Sequence, residues 1–353
     1  MQKRALITGV GGQDGSYLAE LLLAQGYEVF GMIRNGSSLD HSVLPKEIRP
    51  RIHFLEGQLE DKASLVRVVG EALPHEVYNL AGQSDVSLSF RDPAKTLELN
   101  YRAVGFLVDA VYQSNSATRV FQASSSEMFG RAEPPQSESS KFLPVSPYGI
   151  SKLLAHQKYV VGYREKYHQY ICSGILFNHE SPRRGMNFVT RKITSTLAKI
   201  SLGHPIVLEL GNLETMRDWG FAGDYVRLMW LMLQQEHARD FCIASGKSHS
   251  VRDIVDESAK FLGMSLSWEG EGVDEFACDE FGKVVVRVNP EFFRPNGVVT
   301  SLGDNTRARK ELGWTPGVDF SSLVRMMIEG DLQILRKEEA VTEPVLEQHL
   351  PVL

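Results

Sequence analysis

Six short apolar runs, each rich in β-branched and aromatic residues, punctuate the first half of the chain: RALITGV (4–10), YEVFGMIR (27–34), RIHFLEG (51–57), HEVYNLAG (75–82), RVFQASS (119–125) and YICSGILFN (170–178). Nearly continuous apolar runs of this length, bounded by glycine or polar clusters, predict strands buried on both faces. Between them the apolar spacing lengthens to a helical period. SYLAELLLAQG (16–26) closes on Gly26, and DKASLVRVVGEAL (61–73) opens on Asp61, a residue type that caps helix N-termini. Strand and helix in alternation predict an α/β chain built on a Rossmann-type, doubly wound parallel sheet.

After about residue 180 the alternation gives way to loops and helices, although DFCIASG (240–246) predicts one more sheet strand and SVRDIVDESAKFLG (250–263) a helix. The second half therefore reads as a smaller, interleaved C-terminal substrate-binding domain. Residues 1–180, with about 215–247, are expected to form the dinucleotide-binding domain, and about 181–214 and 248–332 the substrate domain. The tail 333–353 has no assignment.

Composition narrows the partners. With 353 residues, 42% hydrophobic content and a formal charge of -6, the chain is neither disordered nor suited to holding nucleic acid by bulk positive charge. Its 3 cysteines, Cys172, Cys242 and Cys278, are far apart and lack CxxC spacing, so no disulfide framework or metal site is expected and a reducing cytoplasm is. The basic, apolar start meets Gly9 too early for a signal peptide, and no apolar run is long enough for a bilayer, so no membrane association is expected.

Two local patterns carry chemistry. ITGVGGQDGSYLAELL sets Gly9, Gly12 and Gly15 in a GxxGxxG spacing between the first strand and the first helix, where backbone amides at a helix N-terminus can hold a pyrophosphate. A ligand-free βα turn would use the same glycines, but their position on a doubly wound sheet favours a dinucleotide. The second strand ends in Arg34 in place of a carboxylate, with Asn35, Ser37 and Ser38 following as donors, so a 2′-phosphate and hence NADP is expected. Further along, SPYGISK places Tyr148 and Lys152 four residues apart, on one face of a helix. An ammonium near a phenol favours the phenolate and lets tyrosine act as a base near neutral pH. Ahead of this pair, QASSSEMFG ends a strand in Ser124, Ser125 and Ser126 followed by Glu127.

These residues resemble the extended short-chain dehydrogenase/reductase family, and within it the GDP-mannose 4,6-dehydratases. The resemblance is carried by TGVGGQDGSYLAELL, GQLEDKASLVR, YNLAGQS, QASSSEMFG, SPYGISK, GILFNHESPRRG, FVTRKIT, RDWGFAGDYV, WEGEGVDE and LGWTP, and covers almost everything to about residue 332. It implies a catalytic set of Ser125, Glu127, Tyr148 and Lys152: Ser125 on the sugar O4, Tyr148 as the base for its proton, and Glu127 as the carboxylate that handles C5 and the water leaving C6. For the cofactor it implies Gln13, Asp14, Gln58 and Leu59 beside the glycine turn, Leu80, Ala81 and Ser84 after the fourth strand, and His179 with Arg184 from NHESPRRG. For the nucleotide sugar it implies Ser84, Ser125, Ser126 and Asn178, with Val189, Lys192, Arg217 and Arg294 around the guanosine diphosphate. It also implies a homodimer or homotetramer.

The chain departs from the family pattern on binding loops. Asn35 stands where a second arginine is usual, Gln58 for an aspartate, Asp85 for a histidine and Gly297 for a glutamate, and one residue is inserted between Lys152 and Tyr163. The same 4,6-dehydration on another GDP- or CDP-linked hexose or heptose is the alternative those positions raise. A C4 epimerase has no use for Glu127, and a binding-only sensor has no use for the complete catalytic set.

Overall fold

The computed structural model describes residues 2–34, 36, 39, 42–293 and 300–342. β1 (Arg4–Thr8), α1 (Gln13–Ala24), β2 (Glu28–Ile33), β3 (Ile52–Glu56), α2 (Lys62–Ala72) and β4 (Glu76–Asn79) follow one another as the sequence alternation predicts, with Asp61 capping α2 through a bond from Ala63 N. α3 (Val86–Arg91) and α4 (Pro93–Leu97) pass through a π-helical turn, Glu98–Arg102, into α5 (Ala103–Ser114) and β5 (Arg119–Ser125). α6 (Pro147–Ala155) continues through a second π-helical stretch, His156–Val161, to α7 (Gly162–Tyr167) and β6 (Ile171–Leu176).

Beyond β6 come β7 (Asn178–Glu180), α8 (Val189–Ser201), β8 (Leu208–Leu210), β9 (Met216–Phe221), α9 (Ala222–Leu233), β10 (Phe241–Ile243) and β11 (Ser248–Ser250). α10 (Val251–Phe261), β12 (Ser267–Glu269), β13 (Phe276–Cys278), β14 (Val284–Val288), α11 (Thr306–Leu312) and α12 (Phe320–Thr342) complete the chain. None of these helices is long and apolar enough to cross a membrane.

The main sheet is parallel and runs β10-β6-β5-β4-β1-β2-β3. Its order reverses between β1 and β4, the switch point at which open α/β sheets bind ligands. Leu18, Leu22, Tyr225 and Met229, from α1 and α9, pack one face of it, and Leu65, Val68, Leu107 and Val111, from α2 and α5, pack the other. Burial on both faces explains why the strands read as apolar runs without alternation.

Two features were not legible as periodic patterns. The second half is not only loops and helices: β11-β9-β7 and β12-β13-β14-β8 form two further sheets. Most of their strands are three residues long, too short to show a period of two. The segment between Lys152 and Tyr163, where an insertion is expected, is π-helical at 156–161. An i→i+5 turn holds one residue more than an α-helical turn, so it can take up an extra residue within a helix. Downstream, Tyr163 still reaches Asp109 Oδ1 on α5 at 2.6 Å.

The described residues cluster into two compact units, 2–183 with 215–249 and 300–320, and 184–214 with 250–293 and 321–342. The first holds the parallel sheet. In the second, α8 and α12 are joined by a buried ion pair, Arg191 Nε to Asp331 Oδ1 at 2.6 Å, with Thr194 Oγ1 donating to Asp331 Oδ2 at 2.7 Å. Removing one partner leaves the other charge buried and uncompensated. Asp331→Ala is therefore expected to lower stability by about 3–5 kcal/mol in denaturant titration, the usual range for breaking a buried pair.

Candidate active site

The turn from β1 to α1 is shaped by close approach. Gly9 has φ +74°, and a Cβ there would meet Ala81 N at 3.0 Å; a Cβ on Gly15 would lie 2.2 Å from the Gly9 carbonyl oxygen. The first position needs a left-handed backbone and the second lets α1 pack onto its own entry turn. Gly12 is the N-cap and supplies no side-chain acceptor, so the amides of the first turn face the switch point without one. A dinucleotide pyrophosphate fits this turn: the amides and the positive end of the helix dipole are what an anion requires.

Gln13, Asp14 and His179 lock the turn in place. His179 Nε2 and Asp14 Oδ2 are 2.8 Å apart, and the His179 ring stacks on Tyr225 with centroids 4.7 Å apart. Gln13 Nε2 donates to the His179 carbonyl at 3.1 Å, and Ser181 Oγ donates to Gln13 Oε1 at 2.8 Å. Arg34 follows β2 and is exposed, close enough that its charge helps hold the Glu60 carboxyl below its usual range, behind the larger effect of the Lys95 hydrogen bond. Asn35 and Ser37 lie outside the described residues. Leu80 and Ala81 form the wall opposite Gly9, and Gln58, Leu59 and Ser84 stand on the loops after β3 and β4.

β5 and α6 bring the candidate catalytic residues together. Ser146 caps α6 by accepting from Gly149 N at 3.0 Å, which fixes the helix that carries Tyr148 and Lys152. A Cβ on Gly149 would sit 2.5 Å from the Glu127 carbonyl oxygen, so this glycine lets α6 lie directly against the Glu127 turn. Lys152 Nζ donates to the Ala123 carbonyl at 2.9 Å and lies 5.8 Å from the Tyr148 ring centroid. Burial pushes its pKa down from 10.5 to about 8.

The serines divide. Ser124 accepts a bond from Ser173 Oγ at 2.6 Å in the buried sheet and is structural. Ser125 Oγ accepts from Glu127 N at 3.2 Å, capping the short turn that presents the carboxylate. Ser126, Glu127, Phe129, Gly130, Gln136, Arg217 and Ser301 line one pocket. Desolvation there raises the Glu127 pKa above its ordinary 4.5, and the Arg217 charge and the Ser146 hydroxyl hold it partly back. Neither Ser146, Gly149 nor the Arg217–Glu127 pairing stands out by residue type or spacing in the sequence.

Two arginines that flank the expected donors, Arg183 beside Arg184 and Arg191 beside Lys192, are occupied by carboxylates. Arg183 forks onto Glu20 at 2.9 Å, and Arg191 is bound to Asp331. Asn178, on β7, shares the first unit with Glu127 and Arg217. In the second unit, Val189 begins α8, the Lys192 ammonium lies 4.4 Å from the Phe292 ring centroid, and the Arg184 guanidinium covers Phe188 at 3.5 Å. Arg294 and Gly297 lie outside the described residues. Asp85 caps α3 through bonds from Ser87 N and Leu88 N, a local reason for a carboxylate at that position.

Residues 6–327 match a family profile described as GDP-mannose 4,6 dehydratase. The chain is 46% identical over 351 residues to a GDP-mannose 4,6-dehydratase of Yersinia enterocolitica, covering 94% of both chains, and 45% identical over 345 residues to the GDP-mannose 4,6 dehydratase of Homo sapiens, covering 94% of this chain and 92% of that one. Its fold superimposes on a dTDP-glucose 4,6-dehydratase from Streptomyces venezuelae, solved with NAD bound, with a TM-score of 0.78 at 22% identity over 97% of this chain and 99% of the other.

The buried ammonium has a measurable signature. A lysine whose folded pKa is about 8, against 10.5 when exposed, opposes folding fully below pH 8, less as pH rises, and not at all above 10.5. At about 1.4 kcal/mol per pKa unit the penalty is on the order of 3 kcal/mol. Lys152→Met should therefore melt higher than the parent protein at pH 7, by calorimetry, with the gain shrinking between pH 8 and pH 10.5.

Proposed function

Because the chain belongs to the GDP-mannose 4,6-dehydratase family, we propose that it converts GDP-mannose to GDP-4-keto-6-deoxymannose, with Ser125, Glu127, Tyr148 and Lys152 as its catalytic residues and NADP as its cofactor. The observation that carries this reading is Glu127 set beside the Tyr148–Lys152 helix, because water loss needs a carboxylate that simple C4 oxidation does not. The C5 proton becomes acidic only once C4 is a ketone. A nicotinamide dinucleotide with its pyrophosphate at the α1 turn would supply a hydride acceptor for C4 and a donor for C6, so no net oxidant would be consumed.

Tyr148 takes the O4 proton, with the Lys152 ammonium favouring its phenolate, and Ser125 orients O4. Glu127 then removes the C5 proton and delivers a proton to the C6 hydroxyl, which departs as water. A carboxyl with a raised pKa suits both tasks, and Arg217 keeps it ionisable in spite of its burial. Reprotonated from solvent, Glu127 gives C5 its proton as the hydride arrives at C6. Ser84, Ser126 and Asn178 hold the sugar in this reading, and Val189, Lys192, Arg217 and Arg294 the guanosine diphosphate.

Arg34, with Asn35 and Ser37, favours NADP over NAD because a guanidinium pairs with the 2′-phosphate. We place the enzyme in the cytoplasm, in keeping with its three buried free cysteines. A homodimer or homotetramer is assigned on the exposed apolar face of α6, where Ile150 and Leu154 are 45% and 39% accessible.

Incubated with GDP-mannose in deuterated buffer without added cofactor, the protein should give a product lighter by one water and carrying one solvent deuteron at C5; unchanged GDP-mannose refutes the substrate. Turnover should fall as pH drops through a point above the ordinary glutamate range. Glu127→Gln should lower water loss at least a thousandfold with NADP affinity within twofold of the parent, and near-normal turnover sinks its role. Arg34→Ala is expected to weaken NADP at least tenfold by calorimetric titration and to leave NAD nearly unchanged.

A further inference from the structure

A chain of buried hydrogen bonds crosses three adjacent strands beneath the site. Thr8 Oγ1, at the end of β1, accepts from Leu80 N and Ala81 N, both at 3.1 Å. A hydroxyl has two acceptor positions and one proton, so that proton goes to the remaining partner, Asn79 Oδ1 on β4, at 2.7 Å. With its oxygen accepting, Asn79 must donate through Nδ2, and it does so to Gln122 Oε1 on β5 at 2.7 Å. Gln122 is left to donate through Nε2, to the Ala123 carbonyl at 2.9 Å. That carbonyl is the one on which Lys152 Nζ rests.

The direction of each bond thus follows from the one before, and neither amide can flip without breaking two bonds. Thr8, Asn79 and Gln122 are no more than 2% exposed, so a broken member has no water to turn to. At the Thr8 end the relay fixes the Leu80–Ala81 backbone, the wall that a Cβ on Gly9 would meet. At the other end it fixes the seat of the ammonium.

We propose that Asn79 and Gln122 are positioning residues: with Thr8 they form a one-directional relay that sets the Ala123 carbonyl beneath Lys152 through the same bonds that set the wall of the dinucleotide turn. The turnover arm of the test rests on the dehydratase reading above; the binding arm rests only on NADP as the cofactor. Neither amide touches the sugar or the reacting atoms. They act through the backbone at either end.

The test uses the full chain, freed of bound dinucleotide and checked for folding by its thermal melt. Gln122→Met keeps the side-chain length and removes the amide. It should weaken NADP at least threefold by calorimetric titration, although Gln122 sits on β5, two strands from the glycine turn. It should also lower kcat at least tenfold while KM for GDP-mannose stays within twofold. Thr8→Val should lower kcat similarly, and Thr8→Ser should restore the parent values within twofold. Because one relay is being broken, Thr8→Val with Gln122→Met should be no worse than the poorer single variant by more than twofold.

The inference is overturned if Gln122→Met binds NADP like the parent, or if the two effects multiply in the double variant. Should Gln122→Met not fold, Thr8→Val against Thr8→Ser decides: an unchanged kcat in Thr8→Val overturns it, since Thr8 reaches Lys152 through the relay. If the parent binds NADP yet leaves GDP-mannose intact, the dehydratase reading fails, and NADP affinity in Gln122→Met still decides the relay.

Discussion

An ammonium held out of water against a backbone carbonyl is the constraint around which the site is built. Lys152 cannot be solvated, so its position depends on the exact placement of the Ala123 carbonyl, and that depends on where β5 ends. α6 must then lie close enough for Lys152, its sixth residue, to reach across, which is why Gly149 has no side chain and Ser146 caps the helix with its own hydroxyl. The same approach sets Glu127 beside α6. Stability is given up locally to hold a charged group where it is useful, a pattern common at functional sites.

Most of the parallel sheet was legible because strands buried on both faces must be apolar throughout, and because helices between them need a 3.6-residue period. α1 shows the limit of that reading. It begins at Gln13, three residues before the apolar pattern does, because its first turn is made of groups that bond or pack against β1 and β7. The small sheets were missed for a similar reason: a three-residue strand such as β8 is defined by its partners, and those are far away in sequence.

In the site, residue type revealed the glycines, the Tyr148–Lys152 pair and the carboxylate after the serines. It could not reveal which polar groups are already engaged. Nothing in the sequence shows that Arg183 faces Glu20 or that Arg191 faces Asp331, and Asp85 reads as a lost histidine until it is seen capping α3. Pairing is a property of the folded chain, because the partners come from distant elements. A chain with net charge -6 neutralises much of its positive charge internally, whereas the Arg217 charge acts on the buried Glu127 carboxyl.

The π-helical stretch at 156–161 has a consequence for how such chains change length over time. Insertions are ordinarily tolerated in loops, where nothing downstream must keep its place. Here a widened turn lies within the helix that carries Tyr148 and Lys152, and a residue added there would leave the contacts among Tyr159, Tyr163 and Tyr167 beyond it in place. A wider turn of this kind is a mechanical buffer: changes in length on the α7 side would leave the Tyr148–Lys152 spacing as it is.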